Sequence, residues 1–279
     1  MKTIQELSDI ASQVRRDIVR MVTAAKSGHP GGSLSSTDIL TALFFNEMKQ
    51  DPKTWRRDAK GQDAFILSAG HLAPVYYAIL GRAGYFDPAL MAGLRKFGSK
   101  LQGHPAAGYI DGVFQPSGSL GQGLSAAAGI ALGKKLDAED DTRAFALLGD
   151  GESEEGQIWE AAMFAVHHKL DNLVAMTDWN GMQIDGPIET VTGIGELNEK
   201  WLSFGWDVIV ADGHDFESIL GAFELARKRN GKPKMILFRT EMGHGVDFMA
   251  GSHSWHGKAP SAEQCEAALA QLKETLGDY

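Results

Sequence analysis

Gly149-Asp150-Gly151-Glu152-Ser153-Glu154-Glu155-Gly156 sets a carboxylate between two glycines, and Asn180, thirty residues beyond Asp150, sits in Asp178-Trp179-Asn180-Gly181 before another glycine. A carboxylate and a side-chain amide oxygen suit a hard divalent cation that takes only oxygen ligands, provided that the fold brings them together. Two such ligands do not fill the shell of Mg²⁺, which usually shares its coordination with phosphates of a substrate or cofactor. The pattern therefore points to a metal-bridged diphosphate. A GDG turn or an Asn-Gly turn alone says little, because both are common turn sequences. The paired spacing carries the inference.

The elements that must position these residues flank them. Residues 143–148 form a short apolar run stopped by glycine, the pattern of a buried strand; Ile158, Ala161, Ala162, Ala165 and Val166 recur at helical spacing; residues 173–176 read as a second buried strand. A crossover of this length joins parallel strands, so Asp150 and Asn180 are expected at the same carboxyl-terminal sheet edge. The intervening helix is expected to start beside Asp150, with its free N–H groups turned to the same spot.

Upstream, Ile4, Leu7, Ile10, Ala11, Val14, Ile18, Met21, Val22 and Ala25 predict an amphipathic helix ending near Ser27-Gly28, with His29 next. A second helix is expected through Ile39, Leu40, Leu43 and Phe44, capped by Ser36 or Thr37. Residues 65–67 read as a strand short enough to be central, with His71 in the turn at its carboxyl end. Helices are expected over 72–82 and 88–97. The span 98–118 has five glycines and little periodicity, too long for an idle connection, and is expected to fold over the ligand carrying His104. Residues 118–123 resemble a phosphate-cradling loop that opens a helix of small residues. Farther on, helices are expected over 196–204, 216–229 and 261–276, with strands over 206–210 and 235–238. Five strand candidates separated mostly by helices predict an α/β fold: an open, mostly parallel sheet with helices on both faces, as one domain over 1–279, with its ligand at the carboxyl edge.

Composition sets outer bounds. Hydrophobic residues at 43 % and charged residues at 23 % are ordinary for a globular protein with a sizeable core. A formal charge of −9, from 27 basic and 36 acidic residues, argues against a general role on nucleic acid or an anionic membrane. Cys265 is the only cysteine, which excludes an internal disulfide and a thiolate metal cluster. The first twenty residues are too charged for a secretory signal, and no apolar run approaches a membrane span, so a cytoplasmic location is the default expectation.

GDGxxxEG followed by DWNGMQIDG resembles the thiamine-diphosphate motif. Lys26-Ser27-Gly28-His29-Pro30-Gly31, Leu67-Ser68-Ala69-Gly70-His71, Gly103-His104-Pro105, Gly118-Ser119-Leu120-Gly121-Gln122-Gly123 and Trp255-His256-Gly257 then stand in the order found in transketolases. The resemblance runs through nearly the whole chain. It implies thiamine diphosphate and Mg²⁺, for which Ca²⁺ or Mn²⁺ can substitute, with Asp150, the Asn180 side chain and the Met182 carbonyl as metal ligands. Gly151 and Glu152 would lie against the diphosphate, and Gly118 and Leu120 near the aminopyrimidine or thiazolium. His29, His71, His104 and His256 would line the cleft, His71 and His256 also touching the cofactor. Glu155 would join a carboxylate network reaching a partner chain. His253 lies off the motif; His167 and His168 read as packing or surface residues, and His214 and His244 as structural ones.

Transketolases of full length carry a pyrimidine-binding domain that cannot be placed in this sequence. The resemblance therefore implies an amino-terminal subunit of a split transketolase, assembled with a carboxyl-terminal subunit into a heterotetramer and acting on sugar phosphates. The implied reaction transfers a two-carbon ketol unit from a ketose phosphate to an aldose phosphate. Two alternatives stay open: the α subunit of a 2-oxo acid dehydrogenase, whose pattern lacks the SGHPG, LSxGH and GHP histidines, and a non-catalytic cofactor-binding or scaffolding subunit.

Overall fold

The computed structural model describes residues 1–139 and 141–279. Five parallel strands form one sheet in the order β1-β2-β3-β7-β6: β1 Ala64–Leu67, β2 Ala144–Gly149, β3 Leu173–Trp179, β6 Asp207–Asp212 and β7 Lys234–Arg239. A small hairpin, β4 Met182–Gln183 with β5 Gly186–Pro187, follows β3. The helices are α1 Ile4–Ala25, α2 Pro30–Ser35, α3 Thr37–Ala42, α4 Ala73–Ala83, α5 Gln122–Leu136, α6 Gly156–His167, α7 Ile188–Val191, α8 Leu197–Ser203, α9 Phe216–Ala226 and α10 Ala262–Gln271.

Successive strand side chains point to opposite faces, and each face has its own core. Phe145, Leu147, Val174 and Met176 pack with α1, α3, α4 and α9, whereas Ala146, Leu148, Leu173 and Ala175 pack with α5, α6 and α8. The sheet is thus α/β with helices on both faces, and its strands read as continuous apolar runs. At the carboxyl edge the chain leaves β1, β2, β3 and β7 at Ser68, Asp150, Asn180 and Thr240.

Several local expectations are corrected. Residues 65–67 belong to an edge strand, not a central one. Because helices cover both faces, β1 is buried at every position and its lateral place leaves no mark on its composition. Residues 88–97 are not a helix: Asp87 caps a 3₁₀ turn over Pro88–Gly93, after which the chain turns away. The helix expected around 39–44 is α3, which runs on into a π turn, Leu43–Glu47; Ser36 stands at its cap position, but neither Ser36 nor Thr37 makes a side-chain capping bond. Ser36 is used elsewhere. The carboxyl-terminal helix covers 262–271, shorter than the 261–276 expected.

A buried ion pair ties the amino-terminal helices to the sheet edge. The Arg15 guanidinium meets both Asp38 oxygens, at 2.9 and 2.6 Å, and His214 Nδ1 lies 3.0 Å from Oδ2. His214 Nε2 accepts from the Glu241 N–H at 2.9 Å, and His244 stacks on His214 at 3.6 Å. Asp38, His214 and His244 bring metal-type atoms within 4.8 Å of one another. Arg15 already holds both Asp38 oxygens and the Glu241 N–H already holds His214 Nε2, so the cluster is a structural joint. Burial would raise the Asp38 carboxyl, but Arg15 and His214 overcome it and hold it at about 2. Its contribution to stability is therefore complete above the usual carboxylate range and is lost as pH falls through about 2. Replacing Arg15 by leucine strands a buried carboxylate and should cost about 3–5 kcal/mol in urea denaturation at neutral pH. A loss under about 1 kcal/mol would contradict this role.

Candidate active site

Asp150 closes β2, and its carboxylate is fixed from both sides. Oδ1 accepts from the Gly151 N–H at 2.9 Å, and Oδ2 accepts from the Gly181 N–H at 2.6 Å, next to Asn180. The side chain of Asn180 is oriented by two bonds. Nδ2 donates to Asp178 Oδ2 at 3.1 Å and Oδ1 accepts from the Met182 N–H at 3.0 Å. The Asp178 carboxylate decides which end of the amide is the nitrogen. Asp150, Asn180 and Met182, the three expected metal ligands, line one cavity of about 310 Å³.

Asp178 was not singled out in the sequence, yet it organises this corner. It is 1 % exposed and accepts from the hydroxyls of Ser35, Ser36 and Thr240 as well as from Asn180. α2, α3, β3 and the end of β7 thus converge on one carboxylate. The signal available was an aspartate ending an otherwise apolar strand, a costly place for a charge unless it is used. Burial, then the neighbouring Asp178 charge, raises the Asp150 carboxyl to about 7. Burial also pushes Asp178 up.

The same cavity holds His29, His71, His256, Gly118, Leu120, Gly151, Glu152 and Glu155. The ring centroids of His29, His71 and His256 lie 5.1 to 5.6 Å apart, so three distant motifs meet. His29 Nδ1 and His256 Nδ1 are buried without a hydrogen-bond partner, which suits a bound polar group. Burial, then His256, lowers His29 to about 4 and His71 to about 3; burial lowers His256 too. All three are therefore neutral donors and acceptors at pH 7. They do not supply cationic charge for a phosphate. His104 is exposed and outside the cavity lining, with its ring where a side chain on Gly118 (φ 151°) would stand, 3.5 Å from an added Cβ. Glu155 is exposed at the rim, and among the described residues its carboxylate makes no hydrogen bond or ion pair.

Two expectations change. The helix after Asp150 does not start beside it: a 3₁₀ turn, Gly151–Glu154, intervenes before α6. The 118–123 segment does not offer the α5 amino terminus to a phosphate, because the protein occupies it. Glu152 Oε1 accepts from the Gly121 N–H at 2.8 Å and from the Ser68 hydroxyl, Oε2 accepts from the Gly149 N–H at 3.1 Å, and the Gly123 N–H donates to Ser68 Oγ at 3.1 Å. The Glu152 carboxylate thus holds two glycine loops together at the cavity wall. The close approach at Gly123 demands glycine, since a Cβ there would lie 2.5 Å from Ser68. Of the other histidines, His167 and His253 are exposed and His168 is half-buried, away from the cavity; His214 and His244 form the joint with Asp38.

The residues present fit thiamine diphosphate with a divalent ion. Oxygen donors converge from two strand ends, a glycine-rich wall admits a close approach, and two buried imidazole nitrogens are free. The depressed histidines also make a thermodynamic statement. In the unfolded chain they protonate below about pH 6.5, whereas folded His29 and His71 stay neutral to about 4 and 3. Their contribution to stability is therefore full above pH 6.5 and is lost as pH falls below it. Replacing His71 by asparagine should flatten the acid limb of stability between about pH 6 and 4. A His71 ring that titrates near 6.5 by NMR would overturn this.

The description "transketolase, thiamine diphosphate binding domain" matches residues 7–278. A 6-deoxy-6-sulfo-D-fructose transketolase subunit from Clostridium sp. (strain MSTE9) is 41 % identical over 271 residues, 96 % of this chain and 97 % of that protein. An apulose-4-phosphate transketolase subunit from Phocaeicola vulgatus is 38 % identical over 265 residues, 94 % of this chain and 92 % of that one. The solved transketolase of Leishmania mexicana superposes with a TM-score of 0.91 at 28 % identity over the whole chain, which spans 43 % of that structure's length. Motif order and fold thus agree with these matches, and the chain belongs to the transketolase family through its thiamine diphosphate binding domain.

Proposed function

We propose that this chain is the amino-terminal, diphosphate-binding subunit of a two-subunit transketolase and transfers a two-carbon ketol unit from a ketose phosphate to an aldose phosphate. The observation that carries the reading is the convergence of Asp150, Asn180 and Met182 with His29, His71 and His256 on one cavity. The two subunits of similar length among its relatives support the split arrangement. Residues 1–279 would act as one binding unit, since both cores pack on the same five strands.

In this reading Asp150, Asn180 and the Met182 carbonyl would hold Mg²⁺, which would supply positive charge for the diphosphate. When bound, thiamine diphosphate would supply a carbon nucleophile and an electron sink for cleavage of a carbon–carbon bond. The chain contributes the surroundings. Gly151 lets the backbone approach the diphosphate, and Gly118 and Leu120 wall the ring side. Neutral His29, His71 and His256 orient sugar hydroxyls and pass protons at their free ring nitrogens, and His104 adds a further donor at the mouth. The partner would supply the pyrimidine-binding domain and its glutamate, with two copies of each chain in the assembly.

A partner-facing role for Glu155 fits its exposed position at the rim. Among the described residues no helix is long and apolar enough to cross a membrane, and a cytoplasmic site of action is part of the proposal.

The test is reconstitution. The purified chain should bind thiamine diphosphate with Mg²⁺ but turn over ketose and aldose phosphates only when mixed with a carboxyl-terminal transketolase subunit; robust turnover by the chain alone would sink the split reading. Within that assembly, Glu155→Gln should lower turnover about tenfold or more and weaken association of the two chains. Wild-type values for both in analytical ultracentrifugation and a coupled assay would remove Glu155 from the interface.

A further inference from the structure

Arg95 stands outside every motif from which the site was read. It occupies a left-handed turn (φ 57°) past the 3₁₀ turn at Pro88–Gly93, where the chain enters the 98–118 span. Its Nη1 donates to Ser27 Oγ at 2.6 Å, its Nη2 donates to the Gly103 carbonyl at 3.2 Å, and its backbone N–H donates to the Leu101 carbonyl at 2.9 Å. Ser27 lies two residues before His29, and Gly103 immediately precedes His104. The hydroxyl of Tyr77 on α4 donates to the next carbonyl in the same loop, Gln102, at 3.0 Å.

We propose that Arg95 is a positioning residue that sets His29 and His104 in register across the cavity mouth, gripping the turn before one and the loop before the other with the two arms of one guanidinium. The two segments are far apart in sequence, and no other side-chain hydrogen bond joins Ser27 to the 98–118 span among the described residues. The geometry needs a planar fork, because a lysine ammonium on its flexible stem does not hold two acceptors in a fixed plane.

The charge of Arg95 is also uncompensated. Among the described residues no carboxylate lies within ion-pair distance of it, and burial lowers its pKa. A half-buried cation without a counter-ion is costly, which argues for a local use. Arg95 faces Tyr77, His29 and His104, and His29 in turn faces His71 and His256. After burial, the Arg95 charge is a cause that keeps both His29 and His104 neutral. The guanidinium thus orients the two imidazoles and opposes their protonation.

The consequence for turnover rests on the ketol-transfer reading, but the positioning itself does not, so two kinds of readout separate them. Arg95→Met and Arg95→Lys would be compared with wild type in the full chain, by NMR titration of labelled histidines and by amide exchange over 98–118. Arg95→Met should raise the pKa of His29 and His104 and speed exchange in that span about tenfold. Arg95→Lys should keep the titrations near wild type yet exchange as fast as Arg95→Met. In the reconstituted assembly both should lower kcat/KM about tenfold or more. Wild-type titrations in Arg95→Met, or wild-type exchange in either variant, overturn the proposal. Should Arg95→Met fail to fold, exchange in Arg95→Lys decides alone. Absence of turnover in the wild-type assembly would fault the ketol-transfer reading and leave the Arg95 test intact.

Discussion

Two carboxylates, Asp150 and Asp178, are buried side by side where β2 and β3 end, and the rest of the structure is arranged around making that tolerable. Each is satisfied in a different way. Asp178 accepts from three hydroxyls and an amide at the wall of the same cavity. Asp150 takes one backbone N–H on each oxygen, which leaves each a lone pair toward the cavity. Burial and the neighbouring charge push Asp150 up to about 7. A proton or a cation relieves that repulsion, and the fixed Asn180 oxygen beside it favours the cation.

The division of labour in the site follows from this. The histidines that meet over the cavity are held neutral by burial, so they act through hydrogen bonds. Under the proposed function, the charge of a diphosphate would be met by a bound cation rather than by these rings. Glu152 lines the cavity while its two oxygens tie Ser68 after β1, the α5 amino terminus and the end of β2 together. The glycine loops at the cavity wall therefore have a protein counter-charge built beneath them, and the α5 dipole is spent on the fold.

The framework was legible because its signals are local. Apolar runs stopped by glycine located the strands that carry Asp150 and Asn180, and parallel crossovers fixed their common edge. The family resemblance grouped His29, His71, His104 and His256, of which His29, His71 and His256 line the cavity. What stayed hidden is what depends on lateral or long-range packing. The edge position of β1 leaves no trace when both faces are covered. Ser36 looked like a helix cap and is instead a donor to Asp178, 142 residues away. Glu152 and Arg95 gave no periodic signal either, because their partners lie on separate loops. A helix is expected over residues 88–97, whereas Asp87, Pro88 and Gly93 bound a short 3₁₀ turn there.

We propose that Asp150 anchors a divalent ion through which this chain holds a diphosphate. Calorimetric titration of thiamine diphosphate into the chain with and without Mg²⁺, wild type against Asp150→Ala, tests it most directly, with circular dichroism to verify the fold. The account predicts metal-dependent binding of one cofactor per chain in the wild type, weakened about a hundredfold or more in the variant. Equal affinity in both proteins, or cofactor binding that needs no metal, would contradict it.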